Sequence, residues 1–152
     1  MSNQSSFEEQ LALHGKIIYT NVGDSMMPLI KQGRDVMIIE RPCGRLAKYD
    51  IPLYKRDSGQ YVLHRIHKVL PDGYVICGDN RSCLETDITD RHIIGVLTGL
   101  IRDGKEISLD TFSYKLYSFY ICDLFFIRRI GFRFRSLFRR IRKMLRSGKG
   151  RG

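Results

Sequence analysis

Short apolar or alternating runs separated by turn residues fill the chain from residue 16 to residue 109, and they constrain its fold most strongly. Runs of this length bounded by turn signals are typical of β-strands, and helical windows between them are few. Asp103-Gly104 is a two-residue hairpin signal, and Pro71-Asp72-Gly73 indicates another turn. The predicted strands are Lys16–Asn21, Asp35–Arg41, Ile51–Lys55, Tyr61–Val69, Tyr74–Cys77, His92–Arg102 and Lys105–Leu109. The sequence therefore predicts a mainly β fold, specifically a twisted, partly closed β domain.

The distribution of charge divides the chain near Asp110. Residues 1–110 hold 14 Lys and Arg and 15 Asp and Glu, whereas residues 111–152 hold 12 basic residues and only Asp123 as an acid. The net charge of +10 therefore belongs wholly to the last part of the chain. We predict a flexible segment over 1–15, one β domain over 16–110 and a basic tail over 111–152, since 152 residues suit a single core.

The basic tail has the apolar periodicity of a helix, which we expect from about Tyr114 to Arg146. Basic amphipathic helices with bulky apolar residues are suited to lie in a membrane interface. The residues predicted to bind an anionic membrane surface are Arg128, Arg135, Arg139, Arg142, Phe134, Leu137, Phe138 and Ile141. A tail that packs on its own domain, or a solvated basic face, is the plainer alternative.

Other features of the tail limit its partners. The apolar stretch from Leu116 to Ile127 is shorter than the roughly 20 residues that a membrane span requires. Nucleic acid is a weaker alternative as partner, because Phe and Ile at helical spacing do not resemble base contacts. We therefore expect the protein to attach peripherally to the inner face of the cell membrane. We also expect that cutting the chain after Asp110 leaves a soluble domain.

Cysteine usage and the start of the chain indicate the compartment. Cys43, Cys77, Cys83 and Cys122 show no C-x-x-C spacing and are predicted to be free thiols in a reducing environment. Residues 1–15 lack the apolar run of a signal peptide. No nucleotide-binding or metal-binding motif is found, so no cofactor and no metal are expected. These features predict a cytoplasmic protein.

Two short motifs suggest hydrolytic chemistry. The first, Val22-Gly23-Asp24-Ser25-Met26-Met27-Pro28, places a serine on a turn, and the second, Tyr61-Val62-Leu63-His64-Arg65-Ile66, places a histidine in a β run. A serine hydroxyl is a weak nucleophile at neutral pH and needs a nearby base to accept its proton. Each motif alone is also compatible with a structural role, namely a turn serine and a half-buried histidine.

Together and in this order, the motifs resemble the serine peptidases of the signal-peptidase and LexA-repressor clan. The nucleophile motif resembles the clan's G-x-S-M-x-P box, and His64-Arg65-Ile66 resembles the H-R-[IV] box of endoplasmic-reticulum and archaeal signal peptidases. Further boxes follow in order over roughly residues 17 to 107. They are Gly33–Ile39, Tyr49–Tyr54, Gly78-Asp79-Asn80 and Ile93–Leu97. The resemblance implies a peptidase-like β domain.

The resemblance also implies roles for particular residues. Ser25 would be the nucleophile and His64 its general base. Glu85, seven residues after Gly78, matches the third catalytic acid of the His-type enzymes, and Asp79 is the alternative third member. Gly23 stands where many signal peptidases have a serine that helps to hold the oxyanion, so the oxyanion hole would rest on backbone N–H groups, that of Ser25 first.

These features predict a serine endopeptidase that uses a Ser–His pair to cleave a peptide, leader or pro-segment near the cytoplasmic membrane face. The expected partners are a peptide or protein substrate and the membrane surface. The alternative is a non-catalytic binding module on the same fold, which acts through its cleft and its basic tail. The membrane-spanning helix that signal peptidases normally carry before the nucleophile box is not found in residues 1–15.

Overall fold

The computed structural model describes residues 6–20 and 22–131 and is mainly β, with a curled half-barrel sheet and a C-terminal helix. The elements begin with helix α1 (Phe7–His14), and the strands are β1 (Lys16–Thr20), β2 (Asp35–Glu40), β3 (Pro52–Lys55), β4 (Tyr61–Leu63), β5 (Arg65–Leu70), β6 (Gly73–Cys77), β7 (Glu85–Ile88), β8 (Ile93–Arg102) and β9 (Lys105–Ile107). Helix α2 (Phe112–Asp123) follows the last strand, and residues 125–131 are helical as well.

The strands form two antiparallel sheets. In the larger sheet the order is β1-β2-β8-β3-β4, with β9 pairing with β8, and the smaller sheet has the order β5-β6-β7. The long strand β8 pairs with both β2 and β3, with register shifts that increase the local bend. At Gly95 on this strand, a Cβ would lie 2.6 Å from the Ile39 side chain, so only glycine permits the approach of β2. Within the described residues, the strands with a free edge in the large sheet are β1, β4 and the short β9.

Each sheet covers its own apolar cluster. The cluster of the large sheet contains residues from α1, from its strands and from the segment after Ser25, among them Leu11, Met26, Ile30, Ile39 and Leu100. The cluster of the small sheet is formed by Leu46, Tyr54, Ile66, Tyr74, Ile76 and Ile88. Tyr54 reaches it from β3, so the two sheets are joined through this buried ring.

The strand predicted over Tyr61–Val69 is two strands that separate at His64. Strand β4 pairs with β3 in the large sheet, whereas β5 pairs with β6 in the small one. The chain changes sheets between them, and the Ile66 N–H donates to the Asp50 carbonyl just after the change. The residues from Leu63 to His67 are all buried, so the run continues through this corner and the sequence does not show the break.

The expectation of a flexible segment over 1–15 is wrong for residues 7–14, which form α1. Ser6 caps the helix: its hydroxyl accepts from the Glu9 N–H, and the Glu9 carboxylate accepts from the Ser6 N–H. Leu11 is buried in the large cluster, and Glu8 accepts hydrogen bonds from Lys55 and Tyr61. The helix is therefore a packed part of the domain.

Tyr49 occupies a backbone conformation that favours glycine. Its φ is +82°, in the left-handed region, and the Asp50 N–H donates to the Ala47 carbonyl. The turn is thus tight despite the larger side chain. The Tyr49 hydroxyl donates to Asp123 of α2 at 2.7 Å, and this contact supports the unfavourable conformation.

The tail begins as a helix but does not continue as the single helix predicted from Tyr114 to Arg146. Helix α2 ends at Asp123, and Leu124 leaves the helical conformation before the chain becomes helical again. Ser118, Ile121 and Cys122 are buried, so one face of α2 packs on the β domain. No helix within residues 6–20 and 22–131 is long and apolar enough to span a membrane.

The structure contradicts the assignment of Arg128 to the membrane-binding face. Its side chain is buried and donates to the carbonyl oxygens of Ile121 and Asp79. The break at Leu124 changes the phase of the helix, so periodicity counted across it placed Arg128 on the wrong side. The other predicted membrane contacts lie outside the described residues, namely Phe134, Arg135, Leu137, Phe138, Arg139, Ile141 and Arg142.

His67 on β5 gives the fold a predicted sensitivity to acid. Its ring is buried edge-on against Phe125, and its Nε2 has no hydrogen-bond partner among the described residues. Burial lowers the pKa of His67 to about 4. The folded protein therefore favours the neutral ring over the protonated one. The resulting contribution to the free energy of unfolding is complete above the unfolded pKa of about 6.5 and is lost as the pH falls towards 4.

We therefore expect wild-type protein to lose stability between pH 7 and pH 4.5, with about 2–3 kcal/mol of the loss coming from His67. Denaturant titrations at the two pH values measure this loss. The His67→Gln variant cannot titrate at this position, so its loss over the same interval should be smaller by that amount. An equal loss in both proteins would contradict the assignment.

Candidate active site

Ser25 lies on a turn five residues after the end of β1 at Thr20. Its neighbour Met26 is fully buried in the large cluster, and the Ile30 N–H donates to the Met26 carbonyl at 2.9 Å. The Met27 N–H closes the preceding turn by donating to the Asp24 carbonyl, and the Met27–Pro28 bond is cis. Burial of Met26 fixes the turn, while Ser25 itself stays partly exposed.

Gly78 brings the serine and histidine segments together. A Cβ at this position would lie 2.7 Å from the Ser25 carbonyl oxygen and 3.0 Å from the His64 ring. The neighbouring Asn80 donates its N–H to the Ser25 carbonyl at 2.7 Å, and its side-chain amide donates to the Asp24 carbonyl at 3.2 Å. The loop that begins at Gly78 therefore touches both residues that the sequence singled out.

His64 is buried beside Glu85, the predicted third member. The His64 Nδ1 lies 3.1 Å from the Glu85 Oε1 and 3.1 Å from the Tyr54 hydroxyl oxygen. Tyr54 donates its own proton to Glu85 at 2.9 Å. Arg56 fixes the same carboxylate with two hydrogen bonds, from Nε at 2.8 Å and from NH2 at 2.7 Å.

These contacts select the tautomer of His64. Since the Tyr54 proton goes to Glu85, both atoms that face Nδ1 are hydrogen-bond acceptors. A proton on Nδ1 satisfies them, which leaves the Nε2 lone pair free to accept a proton. This is the arrangement that a histidine general base requires.

The electrostatics of the pair keep both groups in the reactive forms at neutral pH. Burial lowers the pKa of His64 below its ordinary value, although the Glu85 carboxylate opposes this shift. Burial alone would raise the pKa of Glu85, but hydrogen bonds from Arg56 and Tyr54 outweigh burial and lower it. A neutral imidazole therefore lies beside an ionised carboxylate.

Asp79, the alternative third member, has a different partner. Its two carboxylate oxygens accept from Arg65 at 2.9 and 2.8 Å, and both side chains are fully buried. One oxygen also accepts from the Tyr117 hydroxyl at 3.0 Å. The geometry therefore favours Glu85 as the partner of His64 and gives Asp79 to Arg65.

A cleft of about 400 Å³ contains both Ser25 and His64. It lies between the free edges β1 and β4, which contribute Tyr19 and Tyr61, and Phe7 of α1 packs against both rings. Its other lining residues are Val22, Gly23, Asp24, Met37, Ile39, Leu53, Arg56, Gln60, Val62, Leu63 and Arg81. The cleft is thus apolar along its strands and charged around the histidine.

Sequence reasoning missed Tyr54, Arg56 and Phe7 as parts of this site. Tyr54 ends the box at Tyr49–Tyr54 and Arg56 follows it, but nothing in the pattern shows that they contact a carboxylate on β7. Phe7 could have been noticed through the Ser6-x-x-Glu9 capping signature, which predicts an ordered helix. The contribution of the Ser25 N–H to an oxyanion hole stays a prediction.

The cysteines and the possible metal ligands do not form a further site in the described part of the chain. All four cysteines are free thiols, as predicted, and burial raises the pKa of Cys77 and of Cys122 to about 12. In the described part of the chain, no three His, Cys, Asp or Glu residues are grouped as metal ligands would be.

Comparisons with protein-family models and with curated protein sequences give no match for this chain.

Proposed function

We propose that this protein is a serine endopeptidase of the signal-peptidase and LexA-like type, with Ser25 as nucleophile and His64 as general base. The observation that carries the proposal is the His64–Glu85 pair, joined at 3.1 Å, together with a cleft that both His64 and Ser25 line. A histidine oriented by a buried acid and placed near a serine is the arrangement used for acyl transfer in serine peptidases.

The proposed reaction has two proton-coupled steps. In the first, the Ser25 Oγ attacks the peptide carbonyl while its proton passes to the His64 Nε2. The imidazolium then gives that proton to the leaving nitrogen as the C–N bond breaks, and an ester on Ser25 remains. In the second step His64 takes a proton from water, the resulting hydroxide attacks the ester, and the proton returns to Ser25 as the C–O bond breaks. Glu85 stabilises the imidazolium in both steps.

The expected substrate is an extended peptide. Among the described residues, β1 and β4 each have one unpaired edge, and both strands line the cleft; an extended peptide can hydrogen-bond to such edges as an added strand. Apolar side chains from Met37, Ile39 and Leu53 line the floor between them. This favours segments with apolar residues near the cleavage point, such as leaders or pro-segments.

The pH dependence of cleavage tests the role of the histidine. His64 must be neutral to accept the Ser25 proton, and burial lowers its pKa. We therefore expect kcat/KM for a cleaved peptide to stay high through neutral pH and to fall only below the ordinary histidine pKa of about 6.5. A substrate for this measurement can be selected from a synthetic peptide library by mass spectrometry of new termini. A profile without an acid limb, or one whose limb lies above 6.5, would contradict the proposal.

We further propose attachment of the protein to an anionic membrane surface through the side of the tail that faces away from the β domain. This outer apolar face consists of Phe112, Leu116, Phe119, Phe126 and Ile130, all strongly exposed. Phe112 and Phe126 are 82 % and 75 % exposed. Residues 111–152 have a net charge of +11, which attracts a negatively charged lipid surface. The bulky apolar side chains of this face can insert into the lipid interface.

Vesicle sedimentation tests this attachment. We expect binding to anionic vesicles that weakens with salt, and little binding to neutral ones, because each basic residue near the surface contributes about 1 kcal/mol. Phe119→Ser and Phe126→Ser should each weaken binding roughly tenfold or more, through the lost burial of one aromatic side chain. Leu13→Ser is the matched control, since Leu13 is as exposed as Phe126 but lies on α1. Equal binding by all variants would reject this surface.

The alternative function is a non-catalytic binding module that uses the same cleft. It would require neither an ordered histidine tautomer nor an ionised acid beside it. The four-residue arrangement of Tyr54, Arg56, His64 and Glu85 is better accounted for by proton transfer, so we place the enzyme first. Absence of any cleavage together with tight peptide binding in the cleft would favour the module.

A further inference from the structure

The inner face of α2 is bound to the β domain by polar contacts that centre on Arg65. The Arg65 NH1 donates to the Tyr114 hydroxyl at 3.1 Å and to the Ser118 hydroxyl at 2.9 Å. Its guanidinium also lies over the rings of Tyr114 and Tyr117, at 5.5 and 5.6 Å from their centroids. Three successive positions on one helical face therefore contact a single buried cation.

The same helix reaches the carboxylate that pairs with this cation. The Tyr117 hydroxyl donates to Asp79, the Arg65 partner, at 3.0 Å, and the Tyr117 side chain is half-buried. Arg128, after the break in the helix, donates to the Asp79 carbonyl. Asp79 is thus held through its side chain and its backbone by groups from the tail.

Both members of the buried pair adjoin the candidate active site in sequence. Arg65 directly follows His64. Asp79 lies between Gly78 and Asn80 in the loop beside Ser25. Gly78 packs on His64 and Ser25, and the Asn80 N–H donates to the Ser25 carbonyl. A displacement of Arg65 or Asp79 would therefore change the distance between the base and the nucleophile. Buried ion pairs are sensitive in this way, because loss of one contact leaves charge without compensation.

We propose that α2 is a positioning element of the active site: Tyr117 and Ser118 hold the Arg65–Asp79 pair, and this pair holds His64 and the Asn80 loop against Ser25. The inference rests on the proposed function for its catalytic consequence only. It also departs from the expectation that cutting the chain after Asp110 leaves a soluble domain, because such a cut removes the tail groups that contact Arg65 and Asp79. The tail is in this view part of the catalytic unit, with one face for the site and the other for the membrane.

Two tyrosines one helical turn apart provide the test. Tyr117→Phe removes the hydroxyl that donates to Asp79, and Tyr120→Phe makes the same change on an exposed tyrosine whose hydroxyl does not contact Arg65 or Asp79. Ser118→Ala removes one acceptor of Arg65 without adding bulk. For Tyr117→Phe combined with Ser118→Ala, we expect kcat on a short free peptide to fall tenfold or more with KM little changed. Tyr120→Phe should match the wild type.

Hydrogen exchange provides a readout that does not depend on catalysis. Amide exchange of the peptide containing Asn80 should be faster in the Tyr117→Phe, Ser118→Ala protein, because its N–H is held by the Ser25 carbonyl, and unchanged in Tyr120→Phe. The positioning role is rejected if exchange at Asn80 and kcat both match the wild type. Faster exchange in a protein whose wild type cleaves nothing would leave the positioning role standing and reject the peptidase. A variant that unfolds globally is replaced by Ser118→Ala alone, measured in the same two ways.

Discussion

Replacing Ser25 by alanine is expected to lower kcat for peptide cleavage by about 10⁴-fold or more, and His64→Gln should lower kcat by a similar factor. Without Ser25 no ester can form, and without His64 nothing accepts the serine proton. Because the two residues act in one step, the double variant should be little slower than either single variant. Steady-state and single-turnover rates on the selected peptide give these values.

Matched substitutions elsewhere separate loss of chemistry from loss of fold. Ser58→Ala changes a serine on an exposed turn, and His14→Ala changes an exposed histidine at the end of α1. Both should keep the wild-type rate. Thermal unfolding of the Ser25→Ala protein should match the wild type closely, since this change removes one partly exposed hydroxyl. Cleavage by Ser25→Ala at the native rate would refute the proposed mechanism.

Glu85→Gln is expected to lower kcat by about 10²–10⁴-fold while KM changes little. Glutamine keeps the shape of the side chain but removes the charge that stabilises the His64 imidazolium. The Glu85 carboxylate also raises the pKa of His64 against the effect of burial. Removing it should therefore move the acid limb of the pH–rate profile to still lower pH.

The neighbouring acid on the same strand is the control for this change. Asp87→Asn neutralises an exposed carboxylate on β7, two residues from Glu85, and should leave both the rate and the acid limb unchanged. A Glu85→Gln enzyme within threefold of wild type, or one whose acid limb moved to higher pH, would show that Glu85 does not orient the histidine. Asp79 is less suitable for comparison because its loss leaves buried Arg65 unpaired.

The sequence predicted the mainly β architecture because local rules determine strands and turns. Alternation located β2 and β8 closely, and the Asp103-Gly104 turn connects β8 to β9 as expected. Pairing between distant strands does not leave such a local trace. The change of sheet at His64 depends on which strand each half meets, and β7 was missed because its residues are short of apolar side chains.

The candidate site shows the same division between local and distant information. Ser25 and His64 could be selected from their motifs, and Glu85 from its distance to Gly78 in the family that the chain resembles. Tyr54 and Arg56 could not, because their role depends on β3 facing β7 across the small apolar cluster. Arg128 was misplaced for a related reason: the break at Leu124 is a single backbone change that helical periodicity does not reveal.

Covalent labelling by a fluorophosphonate tests the central claim most directly, because it requires an activated serine but no knowledge of the substrate. We predict one adduct per chain, located at Ser25 by peptide mapping, and labelling at least about 100-fold slower in His64→Gln, since the base is gone. The rate in wild-type protein should fall as the pH drops below the lowered pKa of His64. An adduct at another residue, or labelling of Ser25 at the same rate in His64→Gln, would contradict a Ser25–His64 catalytic pair.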